Sequence, residues 1–251
     1  MTAATGTQAV DRAALLVSTV VESDEPVAFA ELAEESGLPK STVSRLLTAL
    51  ERTQLVERTE GGEYVAGGLF ARFASRYESV ELARVAQPVL RALGDITGET
   101  VNLGIPRGDT VLHVAQVDST FLLGTRDWTG VEVPNHASAL GKVLLASGVI
   151  RMTGSLIALT DRTITDRAEL AAALDDVRRQ GWAATADELE VGLAGVAVPV
   201  CNGHGEVVGA LGISGPTPRL AGRHEALAQL LTDQAAQLTA VLGHSPKEGV
   251  A

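Results

Sequence analysis

The chain has 251 residues and a formal net charge of −11 at pH 7, with 31 acidic against 20 basic side chains. This balance excludes a protein that binds polyanions without sequence preference, because such a protein presents a basic surface. The single cysteine, Cys201, excludes an intramolecular disulfide framework, and no segment has the pattern of a signal peptide or a membrane span, so the sequence predicts a cytoplasmic protein outside the membrane.

The first 40 residues predict helices separated by two breaks. Apolar residues recur at helical spacing between Ala13 and Val21, before a break at 23–26. A short helix over 30–36 has acidic residues in its first turns, where the helix dipole favours them. Gly37 then provides the left-handed residue that ends a helix, and Pro39 is suited to the first position of the next one. A helix, a glycine turn and a second helix form a helix-turn-helix.

The helix that follows, over 38–52, has two chemically distinct faces. Ser41, Arg45, Thr48 and Arg52 fall within an arc of roughly 60°, and the apolar residues lie on the opposite side. Hydroxyls and guanidiniums are the groups that reach phosphates and base edges in the major groove. The pattern therefore favours DNA binding over a packing unit of the same shape. The predicted DNA-contacting residues are Lys40, Ser41, Thr42, Ser44, Arg45, Thr48, Arg52 and Arg58.

A hairpin follows this helix and contains the last of these residues. Segments 55–58 and 63–65 predict two short strands joined by a glycine turn, which completes a winged helix-turn-helix over 1–66. Arg58 on the wing is placed to contact phosphate or the minor groove. Residues 38–58 hold four basic against two acidic side chains, whereas residues 1–80 hold 7 against 12. We therefore expect modest nonspecific affinity and a dependence on dimerisation.

The rest of the chain predicts an α/β domain. A linker helix over 67–80 leads to a boundary near 78–81, and the second domain runs over 81–245, before a flexible tail at 246–251. Strands arranged in hairpins with helices before and after them predict a mostly antiparallel sheet with helices packed on it. The predicted strands are 101–105, 110–117, 195–200 and 206–214, and the predicted helices are 82–93, 137–146, 167–180 and 223–242.

Four segments resemble IclR-family transcriptional regulators. They are the recognition region at 37–47, the segment Asn-His-Ala-Ser-Ala-Leu-Gly-Lys-Val-Leu-Leu-Ala at 135–146, and the pair 195–200 and 212–216. The resemblance extends from about Val10 to Leu242. It implies a winged helix-turn-helix, a linker helix and a GAF-like α/β effector-binding domain, with no enzymatic activity and no cofactor. It also implies homodimers or dimers of dimers that bind palindromic operators, usually as repressors, with an affinity that a small metabolite controls.

The resemblance also implies a ligand pocket on one side of the sheet, lined by Ala139, Leu140, Asp187, Gly195 and Ser214. Independently of the resemblance, 137–139 opens a predicted helix, whose free N–H groups form an anion site. A carboxylate would bind there, Ser214 could donate a further hydrogen bond, and Leu123 and Trp128 could form an apolar wall. Relatives that bind small keto acids have further polar side chains where this chain has Gly195 and Gly212. We therefore expect a roomier, less polar pocket and a larger organic acid, such as an aromatic one, over a two- or three-carbon acid.

Several of these residues have a purely structural interpretation as well. Trp128 could equally pack a loop, and His136 fits a packing or hydrogen-bonding role. Lys142 fits an ion pair with an acid. The acidic run at 187–190 could be a solvated loop, as charge runs usually are.

Two alternatives to a ligand-responsive regulator remain. One is a metabolite sensor whose winged helix binds protein instead of DNA. The other is a hydrolase that uses Cys201 with His204 or His136, although no oxyanion-hole motif follows the cysteine. The five histidines show no i,i+4 pair and the chain has no CxxC motif, so no metal site is predicted. No P-loop or dinucleotide fingerprint is present either.

Overall fold

A computed structural model describes residues 7–244 of the chain, except for the side chains of Ser75, Glu78 and His244. The chain divides into two compact units between Glu78 and Ser79. The tail expected at 246–251 lies outside the described residues. None of the described helices combines the length and the apolar character that a bilayer span requires.

The first unit is a three-helix cluster with a hairpin. Its elements are α1 (Thr7–Glu22), α2 (Phe29–Glu35), α3 (Lys40–Arg52), β1 (Val56–Arg58) and β2 (Tyr64–Ala66). The two strands pair antiparallel, with Glu57 opposite Val65. Leu16, Leu32 and Leu47 from the three helices meet in a core that the first strand closes. This is the winged helix-turn-helix that the sequence predicts.

The turn between α2 and α3 uses the expected glycine but not the expected proline position. Gly37 has φ of 60°, the left-handed conformation that the turn requires. Pro39 was expected as the first helical residue, but its ψ of 136° is extended, so it is the residue before the helix. Helix α3 therefore begins at Lys40.

A single helix, α4 (Gly68–Thr97), replaces the two helices that the sequence analysis placed at 67–80 and 82–93. The residues between Leu69 and Gln87 include neither glycine nor proline, so nothing in the sequence ends the helix at the expected boundary. Pro88 lies inside the helix without ending it.

The second unit is a five-stranded antiparallel sheet with helices on both faces. Its further elements are β3 (Thr100–Arg107), β4 (Thr110–Val117), α5 (Ala139–Ala146), α6 (Arg167–Gln180), β5 (Ala183–Ala186), β6 (Leu193–Cys201), β7 (Val207–Pro216), α7 (Thr217–Leu220) and α8 (His224–His244). The strand order is β4-β3-β7-β6-β5, and every neighbouring pair is antiparallel. Strand β5 and helix α7 are not among the elements predicted from the sequence.

Alternate residues of each strand point to opposite faces of the sheet and into separate cores. Leu103 and Leu211 pack with Leu90 of α4 and Leu231 of α8 on one face. On the other face, Ala197 and Ala210 pack with apolar residues of α5 and α6. The start of α5 lies against this second face, and this arrangement forms the ligand pocket described below.

Candidate nucleic-acid interface and ligand pocket

Helix α3 presents a polar face to solvent. Ser41, Arg45, Thr48 and Arg52 are exposed. The opposite side of the helix is anchored in the core by Val43, Leu47 and Leu50, which are buried. Two further residues of the proposed interface, Lys40 and Ser44, are also exposed, whereas Thr42 is half-buried. The structure thus brings the polar residues of this helix together on one accessible surface.

The N-terminus of α3 is open as well. Pro39 precedes the helix and provides no side-chain hydrogen bond to its first N–H groups. Such N–H groups, together with the helix dipole, favour a phosphate. Within the helix, the hydroxyl of Thr48 donates to the carbonyl of Ser44 at 2.9 Å. Thr48 therefore offers its methyl group and a hydroxyl oxygen as acceptor, whereas Arg45 and Arg52 offer donors.

Arg58 lies across the wing hairpin. Its Nε donates to the carbonyl of Gly62 at 3.3 Å, and its guanidinium lies 5.9 Å from the centre of the Tyr64 ring. Gly62 has φ of 88°, which a side chain rarely adopts, so the turn depends on glycine there. Arg58 is exposed, and its bond to Gly62 uses only the Nε–H group. The remaining N–H groups of the guanidinium can donate to a phosphate.

A pocket lies between the sheet and the start of α5. Its free volume is about 500 Å³, part of which is open to solvent. The apolar lining includes Trp128, Val133, Leu189 and Leu193. None of the described residues that line it is Lys, Arg, Asp or Glu. A ligand here is therefore recognised by apolar contact and by neutral hydrogen-bonding groups.

Five of the seven residues proposed for ligand binding line this pocket, namely Trp128, Ala139, Leu140, Gly195 and Ser214. Leu123 does not. Its side chain is 67% exposed, and its carbonyl accepts a hydrogen bond from Arg219 Nη2 at 2.8 Å. Arg219 is bound in turn to the buried carboxylate of Glu99 at 2.6 Å. This anchor holds Leu123 away from the pocket, and the expectation that it forms a wall was wrong.

Asp187 does not line the pocket either, and its carboxylate organises the loop after β5 instead. It accepts hydrogen bonds from the N–H of Gly192 at 2.7 Å and from the hydroxyl of Thr217 at 2.8 Å. These bonds, the Thr217 bond foremost, lower the pKa of Asp187. That loop supplies Leu189 to the pocket, and Leu193 at the start of β6 follows it. Asp187 therefore lies outside the pocket lining and holds the loop that borders it.

The neighbouring Glu188 is not the solvated residue that its acidic surroundings suggested. It is buried, and both of its carboxylate oxygens lie 2.7 Å from Nζ of Lys142. Burial raises the pKa of Glu188, and the hydrogen bond from Lys142 opposes this effect. The pair joins α5 to the loop after β5. His136 is also buried, with Nε2 at 3.0 Å from the carbonyl of Ile157, which fits its packing role.

The start of α5 offers an anion fewer free N–H groups than the sequence predicts. A 3₁₀ turn at Asn135–Ala137 comes first, and Ser138 then caps the helix by accepting from the N–H of Gly141 at 3.0 Å. Within the described part of the chain, no backbone carbonyl accepts a hydrogen bond from the N–H of Ala139 or from that of Leu140. Those two N–H groups are the donors that α5 offers to a ligand.

The glycines of the pocket differ in the space they leave. A side chain at Gly212 would come within 3.1 Å of Leu140 Cδ2 and of the Val196 carbonyl, so Leu140 fills that space. At Gly195, the nearest atoms to such a side chain are 3.5 Å away or more. Both glycines line the pocket, and Gly195 leaves more space for an added side chain than Gly212 does.

Sequence reasoning missed two polar residues of the pocket, Asn102 and His113. Both are buried on the middle of β3 and β4. Asn102 Nδ2 donates to the hydroxyl of Ser214 at 3.0 Å. Burial lowers the pKa of His113, against an opposing hydrogen bond to the Val131 backbone. A polar residue at a core-facing strand position was the available signal, because an apolar residue is the usual occupant there.

The described residues contain no group of three or more His, Cys, Asp or Glu that could hold a metal ion. Cys201 is a free, half-buried thiol at the end of β6.

Comparison with protein families decides the assignment. The IclR helix-turn-helix domain matches residues 9–60, and the domain described as bacterial transcriptional regulator IclR C-terminal matches residues 74–240. The chain belongs to the IclR family. The members of this family that it resembles are transcriptional regulators and not enzymes, so this IclR-family chain is a DNA-binding regulator.

Individual relatives agree with this assignment. The acetate operon repressor of Salmonella typhimurium is 32% identical over 223 residues, which cover 85% of this IclR-family chain and 81% of the relative. A solved IclR-family regulator from Rhodococcus sp. is 27% identical, with a TM-score of 0.62 and 96% of each chain covered. An IclR homologue from Microbacterium hydrocarbonoxydans, solved with 4-hydroxybenzoate, shares the fold at 22% identity and a TM-score of 0.60, covering 93% of this chain and 98% of that one.

Proposed function

We propose that this protein is a repressor that binds a palindromic operator as a dimer and whose operator affinity is controlled by an organic carboxylate. In this proposal residues 1–66 bind DNA, 67–80 link the domains, and 81–245 bind the effector. The observation that carries the proposal is the exposed polar face of α3, whose opposite side is fixed in the core.

The α3 face fits a major groove because it combines two kinds of contact. Arg45 is exposed in the middle of the helix, where a guanidinium can bind a guanine edge with two hydrogen bonds. Lys40 and the uncapped N–H groups at the start of the helix suit backbone phosphates. Arg58 on the wing adds a phosphate contact beside the groove. The core of a protein–protein interface is depleted in charged side chains, whereas this face exposes Lys40, Arg45 and Arg52, so DNA is the favoured partner.

The dimer is supported by an exposed apolar stripe on α4. Leu69, Phe73 and Tyr77 recur every four residues and are 41%, 68% and 64% exposed. The rings of Phe73 and Tyr77 stack with their centres 6.3 Å apart. An exposed apolar surface of this kind marks a protein contact. A second copy of the chain is the proposed partner, because a palindromic operator has two equivalent half-sites.

The effector site is supported by convergent donors at one end of the pocket. The N–H groups of Ala139 and Leu140 lie at the positive end of α5. The hydroxyl oxygen of Ser214 accepts a hydrogen bond from Asn102 and lies 3.5 Å from the hydroxyl oxygen of Thr125, so its proton can point to Thr125 or to a ligand. Donors without a cationic side chain, next to Trp128 and Leu193, suit a carboxylate on an apolar body. The 4-hydroxybenzoate bound to the Microbacterium relative is a ligand of this kind.

The test of the DNA half is an in vitro selection from random duplexes with the full-length protein. The proposal expects enrichment of a palindromic sequence that the protein binds at least about 10³-fold more tightly than unrelated DNA. Enrichment of no sequence would contradict the assignment of the α3 face.

The test of the effector half is a thermal-shift and calorimetric screen of benzoate, 4-hydroxybenzoate, pyruvate and glyoxylate, each against its methyl ester or amide. The proposal expects a free acid to raise the melting temperature and to change the affinity for the selected duplex, whereas the uncharged derivative does neither. Stabilisation by pyruvate or glyoxylate alone would contradict the larger, aromatic effector, and no response to any acid would contradict a carboxylate effector.

A further inference from the structure

Two buried hydrogen-bond acceptors lie in the pocket without a protein partner. They are Oδ1 of Asn102 and Nδ1 of His113, and both residues line the pocket. Asn102 is 4% exposed and His113 is 6% exposed. Folded proteins satisfy nearly all buried polar atoms, because an unpaired one costs free energy. Six such side-chain atoms occur among the described residues, and these two belong to the residues that line the pocket, where a bound molecule can complete their hydrogen bonding.

The hydrogen bonds of these residues identify the free atoms as acceptors. The amide nitrogen of Asn102 is used in the bond to Ser214 at 3.0 Å, which leaves the carbonyl oxygen free. His113 bonds to the backbone of Val131 while its Nδ1 has no partner, so the other nitrogen carries the proton that this bond uses. Burial lowers the pKa of His113 and keeps the ring neutral near pH 7. Nδ1 is then an uncharged acceptor.

The two acceptors lie on neighbouring strands of one sheet face. His113 on β4 is paired with Gly104 on β3, and the register between the strands shifts between Leu103 and Gly104. Asn102 lies two residues from Gly104 on the same strand, and both Asn102 and His113 line the pocket face of the sheet. The ring of His113 is tilted 31° from that of Trp128, with the centres 6.5 Å apart, which places His113 beside the apolar wall.

The pocket therefore has two chemically opposite sets of groups. The N–H groups of Ala139 and Leu140, with the hydroxyl of Ser214, can donate hydrogen bonds to a ligand. Asn102 Oδ1 and His113 Nδ1 can accept hydrogen bonds from a ligand. We propose that the effector is a hydroxycarboxylic acid whose carboxylate binds the α5 donors and whose hydroxyl donates to Asn102 or His113. This inference rests on the proposed function and adds that these two residues determine specificity for the hydroxyl.

The test compares matched acids on the full-length protein by calorimetry. The pairs are benzoate with 4-hydroxybenzoate and 3-phenylpropionate with 3-phenyllactate, and 4-methoxybenzoate controls for size, because its oxygen accepts but cannot donate. In at least one pair the hydroxy acid is expected to bind about tenfold more tightly or better, as for one hydrogen bond to a buried acceptor. The methoxy acid is expected to lack this advantage.

Two variants assign the preference to the named atoms. His113→Phe keeps a ring beside Trp128 without the acceptor, and Asn102→Leu removes the carbonyl oxygen. At least one of them, the variant that lacks the acceptor used by the hydroxyl, is expected to reduce the advantage of the hydroxy acid to within about threefold. His204→Phe is the matched control, because His204 is exposed on the turn between β6 and β7, and it is expected to retain the full advantage.

The possible outcomes separate this inference from the proposed function. Equal binding within every pair, or an advantage that survives in both pocket variants, overturns the role of Asn102 and His113 and leaves the carboxylate effector standing. Binding of none of the acids contradicts the carboxylate effector and this inference with it. The pairs are compared on the unmodified protein first, so the result does not depend on whether the variants fold.

Discussion

Arg45 is the residue from which the proposed sequence recognition can be tested most locally. It is exposed on α3, one turn after Ser41 and one turn before Thr48. The opposite side of α3 is anchored in the core by Leu47, which is buried. Removing its side chain therefore removes contacts with DNA without disturbing the core.

Arg45→Ala is expected to weaken binding to the selected operator by about 1–3 kcal/mol and to relax the preference at one base pair of each half-site. The measurement is a fluorescence-anisotropy titration against the operator and its single-base variants. Arg151→Ala, which alters an exposed arginine in the other unit, is the matched control and is expected to bind as the unmodified protein does. Equal affinity of Arg45→Ala and the control would show that Arg45 does not touch the operator.

Arg58 is expected to act through phosphate and not through base edges, because it lies on the wing hairpin beside Tyr64. Arg58→Ala should weaken binding to specific and unrelated duplexes by a similar factor. It should also reduce the slope of log affinity against log salt by about 1 for each subunit bound. Titrations at several salt concentrations measure both effects. A loss confined to the specific operator would instead assign Arg58 to base recognition.

The residues of the two proposed surfaces were not equally predictable. The α3 face follows from one helical repeat, so its exposed and buried positions could be read from the sequence alone. The pocket assembles residues from β3, β4, α5, β6 and β7, and the sequence does not show which of these elements are neighbours. Asn102 and His113 were missed for that reason, whereas Leu123 was misplaced because it lies in the loop after β4, whose path no local pattern predicts.

Among the elements, α5 depends on an ion pair that joins it to the loop after β5. The side chains of Lys142 and Glu188 are 4% and 11% exposed. Each partner compensates for the burial of the other, and removing one leaves an isolated buried charge.

Glu188→Gln is therefore expected to lower the free energy of unfolding by about 3–5 kcal/mol, and the double variant Lys142→Met with Glu188→Leu is expected to recover most of that loss. Urea denaturation followed by circular dichroism measures both. Glu81→Gln breaks the exposed pair with Arg84 on α4, and we expect it to leave the denaturation midpoint unchanged, as exposed pairs contribute little. A small effect of Glu188→Gln, equal to that of Glu81→Gln, would contradict this role of the buried pair.

The apolar stripe of α4 gives a second prediction for an element. Phe73→Glu places a charge in the proposed dimer contact and is expected to weaken both dimerisation and operator binding by tenfold or more, because a charge at the centre of an interface is costly. Ala71→Glu is the control, since Ala71 is exposed and lies roughly 160° around the helix from Phe73. Sedimentation equilibrium and operator titration measure the two effects. Dimers of equal stability in both variants would place the interface elsewhere.

Elements bounded by strong local signals were predicted closely, and the others were not. Helix α6 begins after the cap Asp166 and ends at Gly181, whose φ is 82°, and its predicted bounds match the structure. Strand β5 escaped prediction because Ala183–Ala186 has three alanines and no β-branched apolar residue. Its strand conformation depends on pairing with β6, which a local pattern cannot reveal.

At the scale of the whole molecule, membership of the IclR family explains why a chain with net charge −11 binds DNA. Among residues 1–66, four of the five basic side chains lie on α3 and the wing, so one copy supplies few phosphate contacts. Two copies on one duplex double these contacts and make the second binding event intramolecular. Any effector that changes how two copies fit one operator therefore changes affinity.

The most direct test of the central claim, that the α3 face of a dimer reads DNA, is a footprint of the protein on its selected operator, with methylation interference at guanine N7. We expect two equivalent major-groove contacts whose centres are one helical turn apart, about 34 Å. For Arg45→Ala we expect the loss of one interference position in each half-site. A single contact region, minor-groove contacts alone, or an interference pattern that Arg45→Ala leaves intact would contradict the central claim.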